Sequence, residues 1–205
     1  MDRTIYIVDD DESVITALRN LLSSEGYQIS TFTSPAEFLH QSQYNLPSCL
    51  IVDLNMPAID GFDVSQNLTE RGYSIPTIFL TGFGTIPITV KAMKAGAFQF
   101  LTKPVMPDDL MQVVSDAMAL AQKNHALSQE KLLLTERYHS LTPREKELMQ
   151  FVIRGLLNKQ VADRMGISEI TAKVHKRRVM EKMSVRSVSE LVRAADKLDL
   201  LNDEL

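Results

Sequence analysis

The chain has 205 residues, 44% of them hydrophobic and 23% charged, a globular balance that excludes wholesale disorder. Its longest apolar run, Ala117 to Ala121, falls far short of the ~20 residues a membrane span needs, and Ile5 to Val8 behind an Asp at position 2 does not read as a signal peptide, so a soluble cytoplasmic protein without a membrane partner is expected. One cysteine, Cys49, leaves no internal disulfide and no multi-thiolate metal site. The net charge of -4 divides unevenly, with -8 on residues 1–120, +1 on 121–140 and +3 on 141–205. An acidic front and a mildly basic back point to two domains with different partners.

Residues 1–120 alternate between two textures. Ile5-Tyr6-Ile7-Val8 is a strand ending in Asp9-Asp10-Asp11, and a helix follows with Val14, Leu18, Leu21 and Leu22 on one face and Gly26 at its end. Gln28 to Phe32 reads as the second strand. Ser34-Pro35-Ala36-Glu37 is a helix start, since Ser caps and Pro suits the first turn. Cys49 to Asp53 is the third strand, Val64 to Leu68 lies in a helix, Pro76 to Thr81 is the fourth strand, and Ile88 to Ala95 is a helix ended by Gly96. Phe98 to Leu101 is the fifth strand and Pro107 to Ala121 the fifth helix. Strands alternating with helices predict βαβ units and a five-stranded parallel sheet, doubly wound and flavodoxin-like.

Residues 121–140 contain no Gly or Pro and are rich in Ala, Leu, Lys, Glu and Gln, which favours a helical linker; Leu127, Leu134 and Tyr138 form a short apolar stripe. Either a straight linker holding the domains apart or a bent one fits this composition. Residues 141–205 read as a separate all-α domain of four helices. Thr142 caps the first, with Pro143 at its start and Glu145 three residues after the cap. Asn158 begins the second, Gly166-Ile167-Ser168 is a tight turn, Ser168 caps a third that runs to Met183, and a fourth runs from Ser187 to Leu198. Two short helices about a three-residue glycine turn are the helix-turn-helix pattern.

In a doubly wound sheet the functional crevice lies beyond the carboxyl ends of the strands. That rule selects Asp9, Asp10, Asp53, Thr81 and Lys103, which stand at or just after four different strand ends. Three crowded carboxylates repel one another and need a cation, and hard oxygen ligands with room for water suit Mg²⁺. An aspartate there can attack phosphorus and become an aspartyl-phosphate, with Lys103 as a fixed positive charge and Thr81 as a hydroxyl donor to the phosphoryl oxygens.

With Val8-Asp9-Asp10, Asp53 in Val-Asp-Leu-Asn-Met-Pro, Gly61, Thr81-Gly82 and Lys103-Pro104, residues 1–120 resemble the receiver domain of two-component response regulators. The resemblance implies that Asp53 is the phosphoryl acceptor and a sensor histidine kinase the donor. It also implies that Asp10, Asp53 and the backbone carbonyl of Asn55 bind Mg²⁺ with Asp9 acting through water, and that the Lys103-Pro104 peptide is cis. Thr81 and Phe100 match the family's switch pair, and Phe100 lacks the hydroxyl of some relatives. The stretch from Thr81 to Ala97 resembles the FixJ subgroup, except that Phe83 and Thr85 stand where His and Asp are common; Phe83 either offers an exposed apolar contact or packs inward. Autodephosphorylation is expected to be slow, and the chain is not otherwise an enzyme. A phosphohydrolase working through an aspartyl-phosphate needs a second acid at position 55, where this chain has Asn. A DNA-binding protein with a vestigial receiver is the other rival, against which the full set Asp10, Asp53, Thr81 and Lys103 speaks.

In the third helix of the rear domain Lys173, Lys176 and Arg177 are spaced i, i+3, i+4 and share a face, which suits either a helix entering the major groove or a solvated basic surface. Leu141-Thr142-Pro143-Arg144-Glu145, Asn158-Lys159-Gln160-Val161-Ala162 and Thr171-Ala172-Lys173-Val174-His175 resemble the LuxR-type helix-turn-helix of the NarL type. By that likeness Lys173, Val174 and Arg177 face bases, whereas Lys176, Thr171, Lys159 and Arg178 hold phosphates. His175 is a phosphate contact or a packed residue, and Ala172 is a small change near the DNA. Val188, Leu191, Val192 and Ala195 form a dimer contact, a packing surface on the domain core, or both. The expected function is a phosphorylation-activated transcription regulator that takes its phosphoryl group on Asp53, forms a homodimer, binds double-stranded promoter DNA and acts as an activator through RNA polymerase.

Overall fold

The structure, a computed structural model, describes residues 3–82, 90, 92 and 96–201. The chain divides into two compact units, Met1–Ala126 and Leu127–Leu205. In the first unit, strands β1 (Thr4–Val8), β2 (Gln28–Phe32), β3 (Ser48–Asp53), β4 (Thr77–Thr81) and β5 (Gln99–Thr102) form one parallel sheet in the order β2-β1-β3-β4-β5. This is the expected doubly wound order.

The sheet is buried on both faces because its strands alternate between two apolar sets. Ile5, Ile7, Cys49, Ile51, Ile78 and Leu80 point to one side. There they meet Ile15, Leu18 and Leu22 of helix α1 (Glu12–Ser24) and Leu110, Val114 and Ala117 of helix α4 (Pro107–His139). Tyr6, Val8, Leu50, Val52 and Phe79 point to the other side. They pack on Phe38 of α2 (Pro35–Leu39) and on Val64 and Leu68 of α3 (Gly61–Glu70). Cys49 lies fully inside the first layer, and burial pushes its thiol pKa up to about 12. Most of the helix expected over Ile88 to Ala95, together with Phe83, Thr85 and Lys94, lies outside the described residues.

In α4 the fifth expected helix and the expected helical linker are one continuous element. It does not stop at Ala121 but runs unbroken to His139, as the absence of Gly and Pro allows. Its last turns are more than a spacer. Leu134 is buried, and Tyr138 packs against the core of the second unit, whereas Leu127 stays exposed.

The second unit adds α5 (Pro143–Ile153), α6 (Asn158–Met165), α7 (Glu169–Lys182) and α8 (Val188–Lys197). Thr142 caps α5 in a capping box with Glu145, and Ser168 and Ser187 cap α7 and α8. Gly166 closes α6 at φ 65°, a left-handed turn that glycine adopts without the strain a side chain would bring. Ala172 and Val179 of α7 are buried against the core, as are Leu191 and Ala195 of α8. One expectation is corrected here. Ala172 faces the domain interior rather than DNA, because it shares the buried side of α7 with Val179. Leu191 and Ala195 pack on the domain core, one of the roles expected of this face, and Val188 and Val192 are half-buried beside them.

Candidate functional site

The acidic pocket lies where the strand order reverses, beyond the carboxyl ends of β1 and β3. β1 hands over to Asp9 and Asp10 as the chain turns into α1, and Asp53 is the last residue of β3. One carboxylate oxygen from each of Asp9, Asp10 and Asp53 lies within 4.8 Å of the others. Asp9 and Asp53 are buried and Asp10 is exposed. Lys103, just past β5, brings its Nζ to 2.7 Å from Asp9 Oδ2 and 3.0 Å from Asp53 Oδ1. The Lys103-Pro104 peptide is cis.

The second oxygens of Asp9 and Asp53 each have a local donor. Asp9 Oδ1 accepts from the Asp11 N–H at 3.0 Å, and Asp53 Oδ2 from the Asn55 N–H at 3.1 Å. Asn55 Nδ2 donates to Thr81 Oγ1 at 3.4 Å, which ties the end of β4 to the loop after β3. Asp11 caps α1, its Oδ1 accepting from the Ser13 N–H at 2.8 Å, and so takes no part in the cluster. Gly61 opens α3 directly behind the site. A Cβ there would stand 2.6 Å from the backbone oxygen of Asp53, so only glycine permits this approach.

Burial raises the Asp9 pKa, and hydrogen bonds from Lys103 and the Asp11 N–H offset only part of that rise. Burial works against the Lys103 ammonium as well, but its hydrogen bonds to Asp9 and Asp53 outweigh it and hold its pKa above the usual lysine value. The pocket therefore holds more carboxylate than its own cation neutralises, and Asp10 makes no ion pair among the described residues. A hard divalent cation with water in its shell fits this oxygen set.

Thr81 is fully buried and Phe100 half-buried. In the β4–β5 register Phe79 pairs with Phe100 and Thr81 with Thr102, so Thr81 and Phe100 are diagonal neighbours on one face of the sheet.

In the second unit α7 presents the cationic face. Lys173, Val174, Arg177 and Arg178 are exposed, Lys176 and Thr171 are half-buried at its flanks, and Lys159 is exposed in the first turn of α6. Lys173 pairs with Glu169 and Arg177 with Glu181, each at 3.0 Å one turn away on the same helix. The Thr171 hydroxyl lies 2.8 Å from Ser168 Oγ within the cap. His175 is half-buried, and its Nδ1 is sealed from solvent with no hydrogen-bond partner among the described residues, which sets it on the packed side of the helix. Two features have only faint traces in the sequence. Ile170, 75% exposed, is the most exposed large hydrophobic side chain among the described residues, and its failure to join an apolar stripe was the available signal. Glu145, legible as a capping residue, is also buried against Lys182 from the far end of α7, a pairing that no local pattern announces.

A doubly wound sheet with a carboxylate–lysine pocket, followed by a helix-turn-helix with an exposed cationic helix, defines a signal-receiving DNA-binding protein. Residues 5–115 match the response regulator receiver domain, and residues 139–195 match the bacterial regulatory proteins of the luxR family. The chain belongs to the two-component response regulators that join a receiver to a LuxR-type DNA-binding domain, and it is a transcriptional regulator of that class. It is 43% identical to the response regulator protein TodT of Pseudomonas putida over 194 residues, which cover 95% of this chain and 86% of that one. It is 36% identical to the transcriptional regulatory protein FixJ of Bradyrhizobium diazoefficiens over 202 residues, 97% of each. Among solved structures, the response regulator StyR matches with a TM-score of 0.85 and 39% identity, covering 96% of this chain and all of that one. The receiver implies a sensor kinase as partner, and the LuxR-type domain implies DNA. Among the described residues no helix is long and apolar enough to cross a membrane.

Proposed function

We propose that this chain is switched by a phosphoryl group carried on Asp53. The observation that carries the proposal is the meeting of Asp9, Asp10 and Asp53 within 4.8 Å with Lys103 Nζ on Asp9 and Asp53. Asp10, Asp53 and the Asn55 carbonyl would hold Mg²⁺, with Asp9 acting through water; the ion would neutralise charge on the transferring group. A carboxylate oxygen of Asp53 forms the bond to phosphorus as the bond to the donor breaks. The electron pair leaves with the donor's imidazole nitrogen, or with acetate when acetyl phosphate is the donor. Lys103 then pairs with the phosphoryl oxygens, and Thr81 supplies its hydroxyl to them. An apolar groove of about 460 Å³ lined by Val14, Ala17, Leu18, Lys103, Pro104 and Val105 gives a histidine kinase a place to dock beside Asp53, since Lys103 belongs to both.

The new charge draws Thr81, and Phe100 on the same face follows, which shifts a two-state equilibrium of the receiver over 1–120 toward self-association. Residues 121–140 link the receiver to a DNA reader over 141–205. Lys173, Val174 and Arg177 meet bases, while Lys159, Thr171, Lys176 and Arg178 meet phosphates. In the dimer two readers engage half-sites about one DNA turn apart, and the second binding becomes intramolecular. The protein acts in the cytoplasm as an activator that engages RNA polymerase.

The test exposes the full chain to acetyl phosphate with Mg²⁺ and follows intact mass, sedimentation and promoter binding. One phosphoryl group, lost in Asp53→Asn, together with a shift to dimer and tighter DNA binding, is expected. Uptake that persists in Asp53→Asn moves the acceptor elsewhere, and unchanged DNA binding by the phosphorylated chain removes the switch.

A further inference from the structure

We infer that Ile170 and Val174 form an apolar step on α7 that seats thymine 5-methyl groups in the major groove. The inference deepens, and rests on, the reading of α7 as the helix that enters the groove. Ile170 is 75% and Val174 46% exposed, although the helix already fills the domain core from its opposite side with Ala172 and Val179. Residues 170, 174, 177 and 181 are spaced i, i+4, i+7 and i+11, so Ile170, Val174, Arg177 and Glu181 run along one exposed line. Ile170 is the second residue of α7, and the first turns of a recognition helix are the part that reaches base edges.

The surroundings choose the occupant. Lys173, Arg177 and Arg178 border the apolar pair and are exposed; Glu169 and Glu181 pair with the first two, and Arg178 with the flanking Lys176 leaves this side of the helix net cationic, so the partner is a polyanion rather than an apolar protein groove. The major-groove floor offers one apolar feature, the C5 methyl of thymine. Ile170 and Val174 complement that methyl as Arg177, farther along the same line, complements the acceptor edge of guanine. Ile170 thereby extends the reading surface toward the amino end of the helix, beyond the cationic residues.

The experiment enriches a random-sequence duplex pool on the full chain. The selected duplex is then remade with deoxyuridine in place of each thymine in turn, which removes only the methyl. The wild-type chain is expected to lose about fourfold in affinity at one or two positions, the value of one buried methyl-sized group. Ile170→Ser is expected to be indifferent to uracil at one of them and to bind the thymine duplex as the wild type binds the uracil one. Ile170→Val should keep the penalty. Wild-type tolerance of uracil at every position overturns the proposal, as does a penalty unchanged in Ile170→Ser. Arg177→Ala separates the two levels. If it enriches the same sequence as wild type and the wild type shows no uracil penalty, α7 is not the reader; if it shifts the enriched sequence while Ile170→Ser leaves the uracil penalty intact, α7 reads but Ile170 does not. A change of sedimentation mass in Ile170→Ser with the uracil penalty intact makes the step a protein contact and overturns the assignment.

Discussion

Lys182, in the last turn of α7, places its Nζ 2.6 Å from Oε2 of Glu145, which is buried in the first turn of α5. Glu145 Oε2 also accepts from the Thr142 N–H at 2.9 Å, and Lys182 donates to the Ser140 carbonyl at 3.2 Å. The exposed cationic helix is thus tied to the entrance of its own domain by charge as well as by packing. Removing one partner leaves the other charge unpaired: Lys182→Met should cost about 2–3 kcal/mol in the second unit, at or below the low end for buried pairs because Lys182 is partly exposed. Burial alone would raise the Glu145 pKa, but Lys182 and Thr142 outweigh it and hold it below the ordinary 4.5. Its stabilisation is therefore complete above that value and is lost as pH falls through the lowered one. Denaturant melts of wild type, Lys182→Met and Glu145→Gln across that range check both statements; wild-type and Glu145→Gln curves that stay parallel would refute the second.

The raised Asp9 pKa has the opposite sign. A carboxyl whose folded pKa is raised is best tolerated when protonated, so its contribution is fully present below the ordinary 3.8 and is lost as pH rises through the raised value. Asp9→Asn should therefore gain stability relative to wild type as pH rises, in buffer free of divalent ions. Lys103 keeps Asp53 at 3.0 Å in that variant. Thermal melts at a series of pH values, with and without Mg²⁺, measure the effect; a gap independent of pH contradicts it.

Gly61 packs directly against the acceptor's backbone. Gly61→Ala would set a methyl 2.6 Å from the Asp53 oxygen, an overpacking expected to cost roughly 1–3 kcal/mol. The displaced peptide also carries Asp53, so phosphoryl uptake from acetyl phosphate should slow severalfold even where the variant is fully folded. Native-like uptake by the folded variant would show that the close approach does not position Asp53.

Lys173 and Arg177 should behave differently from Lys159 and Arg178. Lys173→Ala or Arg177→Ala is expected to relax base preference at one position by about 1–3 kcal/mol. Lys159→Ala or Arg178→Ala should weaken all sequences alike and flatten the salt dependence of binding. Titrations on matched and mismatched duplexes at two salt concentrations distinguish the pairs, and uniform weakening by all four variants would reassign Lys173 and Arg177 to phosphates.

What the sequence made legible was mostly local. The caps at Ser34, Thr142 and Ser168 are short-range chemistry, and each forms. The strand-end rule placed Asp9, Asp53, Thr81 and Lys103 at one sheet edge, because a parallel sheet leaves little freedom there. The misses were relations between distant positions. Helix α4 has no breaker at Ala121 and continues through the expected helical linker, but nothing local announces that Leu134 and Tyr138 belong to the second core. The burial of Ala172 is not legible, because helical periodicity gives a face without saying which neighbour covers it. The Lys182–Glu145 tie spans 37 residues and leaves no periodic trace at all.

Cys49 is the chain's one thiol, and it is sealed inside the sheet with a pKa near 12. Thiolate is the reactive form, so maleimide and disulfide reagents should pass the native protein by at neutral pH. A cysteine engineered onto any exposed helix would then be the sole attachment point for a fluorophore or spin label, and conformational change on signalling can be watched without first mutating the native residue away.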